Sequence, residues 1–213
     1  MGKYHSDHKQ LWNTFVSTSK NATFLFNRDF MEYHKERFED SSILIFKNQK
    51  LIALFPANQV NDIIYSHQGL TYGGLIASEI IKLKDVIDCF KLVLSFYKNN
   101  GCNALEIKQL PSIYTTLPSD EIQYLMFILE ATLKRRDTLS VLNLNYKIKY
   151  SRARLEGNKR AKKHNLVIKE VSEFSEFWNK ILLPNLKTKH NTKPVHSLED
   201  MEILYKKFPK QIR

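Results

Sequence analysis

The 213-residue sequence predicts an α/β chain of the α+β type, a mixed and mostly antiparallel sheet flanked by helices. Three observations carry that prediction. Hydrophobic residues make up 43% and charged residues 26%, enough apolar side chain for a buried core and too much for a disordered polyelectrolyte. No apolar run approaches the roughly 20 residues of a membrane-spanning helix. Apolar spacing switches between the helical and the strand period in the order α, α, β, β, β, α, β, α, β.

The first helix follows from Leu11, Trp12, Phe15 and Val16, four residues on one helical face between His8 and Ser17. Asn27 is a side-chain cap for a second helix carrying Phe30, Met31 and His34. Ile43 to Phe46 and Leu51 to Phe55, separated by the turn-forming Asn48-Gln49-Lys50, read as two buried strands in a hairpin. Ile63 to Tyr65 reads as a third strand. It runs into Ser66 to Gly74, which holds three of the six glycines and so predicts a tight loop. Asp85 to Asn99 is amphipathic through Val86, Ile87, Phe90, Val93, Leu94 and Tyr97, and Asn100-Gly101 stops it.

A strand over Ala104 to Leu110 is expected next, then a helix capped by Ser119 and running to about Leu133, then a strand over Leu139 to Tyr146. Apolar alternation slips phase between Val141 and Leu142, the mark of a bulge or of a strand covered on both faces. Ser151 to Asn165 forms a basic helix, Leu166 to Val171 a strand, Phe174 to Leu183 a helix, and Ser197 caps a last helix. The charge balance changes near residues 145 to 151, so the expected boundary separates residues 1 to 146 from 147 to 213.

The net charge is +11, from 33 Lys and Arg against 22 Asp and Glu. Lys147 to His164 holds eight basic residues against Glu156, and Lys187 to Arg213 holds seven against three, leaving 18 against 18 elsewhere. A neutral body with a basic C-terminal third points to an anionic partner, with a solvated basic face as the alternative. Arg154, Lys159, Arg160 and Lys163 are the candidate phosphate contacts. Arg152 and Arg160 are placed to pair with Glu156 at i, i+4, which leaves Arg154, Lys159 and Lys163 freer. In the glycine-bearing loop Tyr65, His67, Gln68 and Tyr72 are candidate ligand-facing residues, against the alternative of a tight structural turn.

Other chemistry finds little support. His190 and His196 are six apart around Pro194, a spacing that suits no zinc site, so no metal is expected. Cys89 falls on the apolar side of its helix and Cys102 follows Asn100-Gly101, so both are expected to be inert thiols. No serine, cysteine or carboxylate stands in a nucleophile motif. Met1 to Gln10 lacks the apolar core of a secretory signal, which points to the cytoplasm. Met1 to Ser6 fits the myristoylation pattern M-G-x-x-x-[ST], a short pattern often met by chance.

Thr23 to Phe30 (TFLFNRDF), Tyr65 to Gly69 (YSHQG) and Asn158 to Lys163 (NKRAKK), in this element order, resemble the Fem-type branch of the GNAT acyl-CoA N-acyltransferase superfamily. Proteins of that branch transfer amino acids from aminoacyl-tRNA to peptidoglycan precursors. The tail Pro194 to Ser197, with Leu204 and Phe208-Pro209, is similar to the segment that leads from a first GNAT-like half into a second. The resemblance implies acyl or aminoacyl transfer to an amine, in cell-envelope or polysaccharide precursor synthesis. It also implies an anionic substrate, either tRNA or a nucleotide-linked precursor. A two-half protein needs roughly another hundred residues, so the expectation is a first half plus the start of a second. A non-catalytic RNA-binding or scaffold half is the alternative.

CoA-binding members carry [RQ]-x-x-G-x-[GA] after this strand, because backbone N–H groups there cradle a pyrophosphate. Here Gln68 is followed at those positions by Thr71 and Gly73, so no cofactor is expected in this half. Acyl-CoA or aminoacyl-tRNA would be held elsewhere in the full protein. Of the Fem-type Y-x-x-R-G-P pattern only Tyr65 and Gly69 carry over.

Overall fold

The computed structural model describes residues 1 to 212, which form two compact units: Met1–Ala131 with Pro194–Ile212, and Thr132–Lys193. The first unit therefore ends at Ala131 and not at 146, and the tail expected to open a second half belongs to it.

The first unit is α+β, with two four-stranded, mostly antiparallel sheets. Its strands are β1 (Gly2–Lys3), β2 (Glu39–Asp40), β3 (Ile43–Lys47), β4 (Lys50–Phe55), β5 (Asn58–Val60), β6 (Ile63–Tyr65), β7 (Ile76–Ala77) and β8 (Ala104–Glu106). The sheet orders are β1-β3-β4-β7 and β2-β5-β6-β8. Asn48 and Gln49 both take positive φ (49° and 63°), the two-residue turn whose twist suits a hairpin, and so join β3 to β4 as the sequence predicts. β2 and β5 extend this hairpin. Ile43 faces Phe55, Ser41 N–H donates to Ala57 O at 2.9 Å, and Asp40 faces Asn58 in one register. Pro56 cannot donate to a ladder, and at this point the Ser42 hydroxyl bridges the strands by accepting from Ala57 N–H at 3.1 Å. The two sheets are thus one ribbon bent at Ser41-Ser42 and Pro56-Ala57.

Alternation along β3 and β4 explains why both faces are covered. Ile43, Ile45, Ala53 and Phe55 meet α3 (Leu83–Asn99) through Val86, Cys89, Phe90, Val93 and Tyr97. Leu44 and Leu54 on the other face meet α1 (Lys9–Thr18) through Trp12, Phe15 and Val16. Two side-chain hydrogen bonds lock the layers: Trp12 Nε1 to Phe26 O at 2.8 Å and Tyr97 Oη to Ser41 O at 2.7 Å. The helix α3 ends in a Schellman motif, with Gly101 at φ +80°, Gly101 N–H on Lys98 O and Cys102 N–H on Tyr97 O.

Local signals hold where the partner groups are local. Asn27 caps the short α2 (Arg28–Met31) by accepting from Asp29 N–H, whereas β1, which sets Gly2 opposite the distant Leu44, has no local signal. The expected strand at Ala104 shortens to β8, whose neighbour β6 runs parallel to it. The helix expected from Ser119 to about Leu133 shortens to α4 (Glu121–Ile128). Ser119 makes no cap; its hydroxyl bonds the Glu121 carboxylate at 3.3 Å.

In the second unit, Ser151 caps α5 (Arg152–Lys163) by accepting from Arg154 N–H. The helix expected near Phe174 is built from α6 (Ser175–Phe177), a π-helical turn at Trp178–Leu182 and α7 (Leu183–His190). Leu139 to Tyr146 and Leu166 to Val171 are not strands, because no neighbouring segment supplies a ladder to them. The last helix, α8 (Leu198–Lys207), starts at a capping box between Ser197 and Asp200 and packs back on the first unit. There His196 Nδ1 lies 2.8 Å from Tyr33 Oη, Lys207 pairs with Asp29 at 3.0 Å, and Phe208 packs against Phe24 and Phe30.

Candidate functional site

The glycine-bearing loop turns Ser66, His67 and Tyr72 inward and leaves Gln68 and Thr71 exposed. Ser66 N–H donates to Glu106 O and Gly73 N–H to Lys108 O, so the loop is stitched to the segment after β8 at both ends. A Cβ on Gly73 would run into the Ser66 carbonyl oxygen, and one on Gly69 would sit 2.5 Å from His34 Nε2. These glycines serve close packing of chain on chain. Gln68 forms a reciprocal pair with the fully buried Asn58: its N–H donates to Asn58 Oδ1 at 2.7 Å and its Oε1 accepts from Asn58 Nδ2 at 2.9 Å. Lys108 Nζ donates to the carbonyls of Gln68 and Leu70, and burial lowers its pKa. Tyr72 is buried beside Phe26 and donates to Thr23 Oγ1 at 3.2 Å. Tyr65 is half-buried on β6.

His67 is the most constrained of the four. It is 3% exposed, takes φ +69°, and its Nδ1 has no hydrogen-bond partner. Burial, the dominant cause, lowers its pKa to about 4; Asp40 opposes that effect, while His34, Arg28 and Lys108 add to it. The ring is therefore neutral at pH 7. It stacks on His34 at 6.1 Å, His34 stacks on Tyr33 at 4.1 Å, and His34 Nδ1 bonds Met31 O at 3.0 Å.

Two residues that hold this region were not singled out from the sequence. Arg28 is only 2% exposed, pairs with Asp40 and with Glu32, and lies over the Tyr4 ring 3.5 Å from its centroid. Lys20 is buried and pairs with Glu121, whose carboxyl burial alone would raise; the Lys20 bond overcomes that and lowers it. An Arg four residues before a Glu was the available signal for the first pair. The second joins positions 101 apart and has none.

A cavity of about 30 Å³ opens among Gly73, Gln109, Thr115, Ser119 and Gln123. It has room for a water or two, far below the roughly 300 Å³ at which ligand pockets start. Among the described residues no three His, Cys, Asp or Glu side chains gather to hold a metal. Both cysteines are buried, and burial raises Cys89 to about 11.

The charge is sorted by unit. Thr132–Lys193 contains 16 Lys and Arg and 5 Asp and Glu, a surplus of 11 that equals the whole chain's +11. The remaining 17 and 17 cancel. The Pro194–Ile212 tail, read from sequence as part of the basic third, carries three of each sign. The basic side chains of α5 are exposed. Glu156 pairs with Lys159 at 3.4 Å, not with Arg152 or Arg160 as the sequence predicts. At about 100° per residue, Arg152, Lys159 and Lys163 share one face, Arg160 lies at its border, and Arg154 points about 200° round from Arg152. Arg154, Lys159 and Lys163 are therefore not one cluster. Comparison with protein-family models, curated proteins and solved structures finds no match to this chain.

Proposed function

We propose that the chain docks an anionic partner through the Thr132–Lys193 unit, with the α+β unit as its scaffold. One observation carries the reading: the entire net charge lies in that unit, and the cations of α5 are open to solvent. Phosphate groups are the anions that a row such as Arg152, Lys159 and Lys163 suits, because each cation that meets one releases a counterion. The test uses tRNA as the polyanion and reads binding by fluorescence anisotropy across a salt series. Joint replacement of Arg152, Lys159 and Lys163 by Gln reduces the salt slope by up to about three phosphate contacts. Lys35, Lys50 and Lys91, exposed in the first unit, are the matched control; Lys9 and Lys20 are unsuitable because ion pairs hold them. Equal losses from both triple variants refute the reading.

A second reading is an acyl- or aminoacyl-transferase of the GNAT and Fem-type group, to which the sequence bears a resemblance. It is favoured by the parallel pair β6 and β8 joined through α3, with a small cavity of mixed polar and apolar lining beside the bridge from Gly73 to Gln109 past the ends of that pair. In such a reaction the protein mainly orients donor and amine, so a dedicated nucleophile is not required. The packing of Ser66, His67 and Tyr72 against the chain favours a donor held outside this loop.

A further inference from the structure

The Thr132–Lys193 unit is as unusual in its apolar surface as in its charge. It is under a third of the chain, yet it holds half of the large apolar side chains left exposed. They concentrate in two runs that flank α5: Leu139, Val141, Leu142 and Leu144 before it, and Leu166, Val167 and Ile168 after it. All seven are more than half exposed, and Ile168 is fully so. The only buried large apolar side chain of the unit is Trp178.

We propose that the anionic partner of this unit is the surface of an anionic lipid bilayer, an inference that rests on the anion-docking reading above. Charge selects the partner's sign. A second copy would bring +11 against +11, which repels, whereas anionic headgroups attract a basic segment within a Debye length. The aliphatic runs then select among polyanions. RNA gains from cations and from aromatic rings that stack on bases, but only Tyr146, Tyr150 and Phe177 of this exposed set are aromatic. Leucine, valine and isoleucine beside lysine and arginine match an interface with phosphates outside and acyl chains beneath. The two runs make no ladder, so their backbone groups need water and hold the unit at headgroup depth.

The test is co-sedimentation of the full chain with vesicles of phosphatidylcholine alone and with about a third phosphatidylglycerol. Three variants accompany it: the triple Gln variant of Arg152, Lys159 and Lys163; Leu142, Leu144 and Ile168 each changed to Ser; and Ile168→Trp as a reporter. All are exposed positions, and far-UV circular dichroism checks the fold. Binding should require the anionic lipid, fall roughly a hundredfold in the Gln variant and at least tenfold in the Ser variant, with blue-shifted emission from Ile168→Trp. Binding to tRNA with no loss in the Ser variant on vesicles and no emission shift overturns the bilayer assignment while leaving anion docking intact. Absence of binding to vesicles and to tRNA at low salt overturns both.

Discussion

Acid should destabilise the first unit through His67 before it reaches the paired carboxylates. In the unfolded chain the imidazole titrates near 6.5, and in the fold burial lowers it to about 4. The unfolded state therefore binds the extra proton first. Stability is complete above about pH 7, falls as pH drops through 6.5, and levels off below about 4. At 1.36 kcal/mol per pH unit, a gap of about 2.5 units removes about 3 kcal/mol, a large part of a domain's usual 5–15 kcal/mol. His34, also lowered chiefly by burial, adds to the loss in the same direction. Glu32, Asp29 and Glu121 are held low, so their contributions fade only below about pH 4.5 and leave the window clear. His67→Asn is the informative variant, because Asn tolerates the φ of +69° and carries no charge at any pH. Urea unfolding from pH 7 to 4.5 should show the wild-type slope reduced by about 1.4 kcal/mol per pH unit in the variant. An unchanged slope, or a His67 imidazole that titrates near 6.5 in NMR spectra of the folded protein, refutes the reasoning.

Three further predictions concern stability and ligand. Gly73→Ala drives a Cβ into the Ser66 carbonyl and should cost about 3 kcal/mol, whereas Gly157→Ala, with open space in α5, should stabilise that helix by about 0.5–1 kcal/mol; thermal melts separate them. Arg28→Ala removes the partner of Asp40 and Glu32 and the packing over Tyr4, and should cost about 3 kcal/mol in urea titration. Acetyl-CoA should bind more weakly than ~0.1 mM by calorimetry, because the loop that would cradle its pyrophosphate is spent on Asn58 and Lys108; micromolar binding contradicts that account.

Elements whose hydrogen bonds close within a few residues are legible in the sequence, and those whose partners lie far along the chain are not. Asn27, Ser151 and Ser197 act as caps because each meets a backbone N–H two or three residues on. The periodicity of α1 and α3 and the Asn48-Gln49 turn are equally local. Leu139 to Tyr146 and Leu166 to Val171 carry strand composition, yet a strand exists only where another segment supplies a ladder, and none does. The candidate loop shows the same limit. The sequence puts glycines in Ser66 to Gly74, but whether they face a ligand or the chain is decided by Asn58, ten positions from its partner Gln68, and by His34 and Lys108, more than thirty positions from theirs.

Residue identity and local order determine that the chain is charged to +11, apolar enough to fold, and built from short strands and amphipathic helices, since these depend only on each residue and its near neighbours. Only the tertiary structure decides where one unit stops. The tail binds back through pairs such as Tyr33 with His196 and Asp29 with Lys207, more than 160 positions apart, and that return separates a neutral unit from a cationic one. Contacts at such separations leave no periodic trace in a sequence, because they are set by burial and complementarity summed over the whole fold.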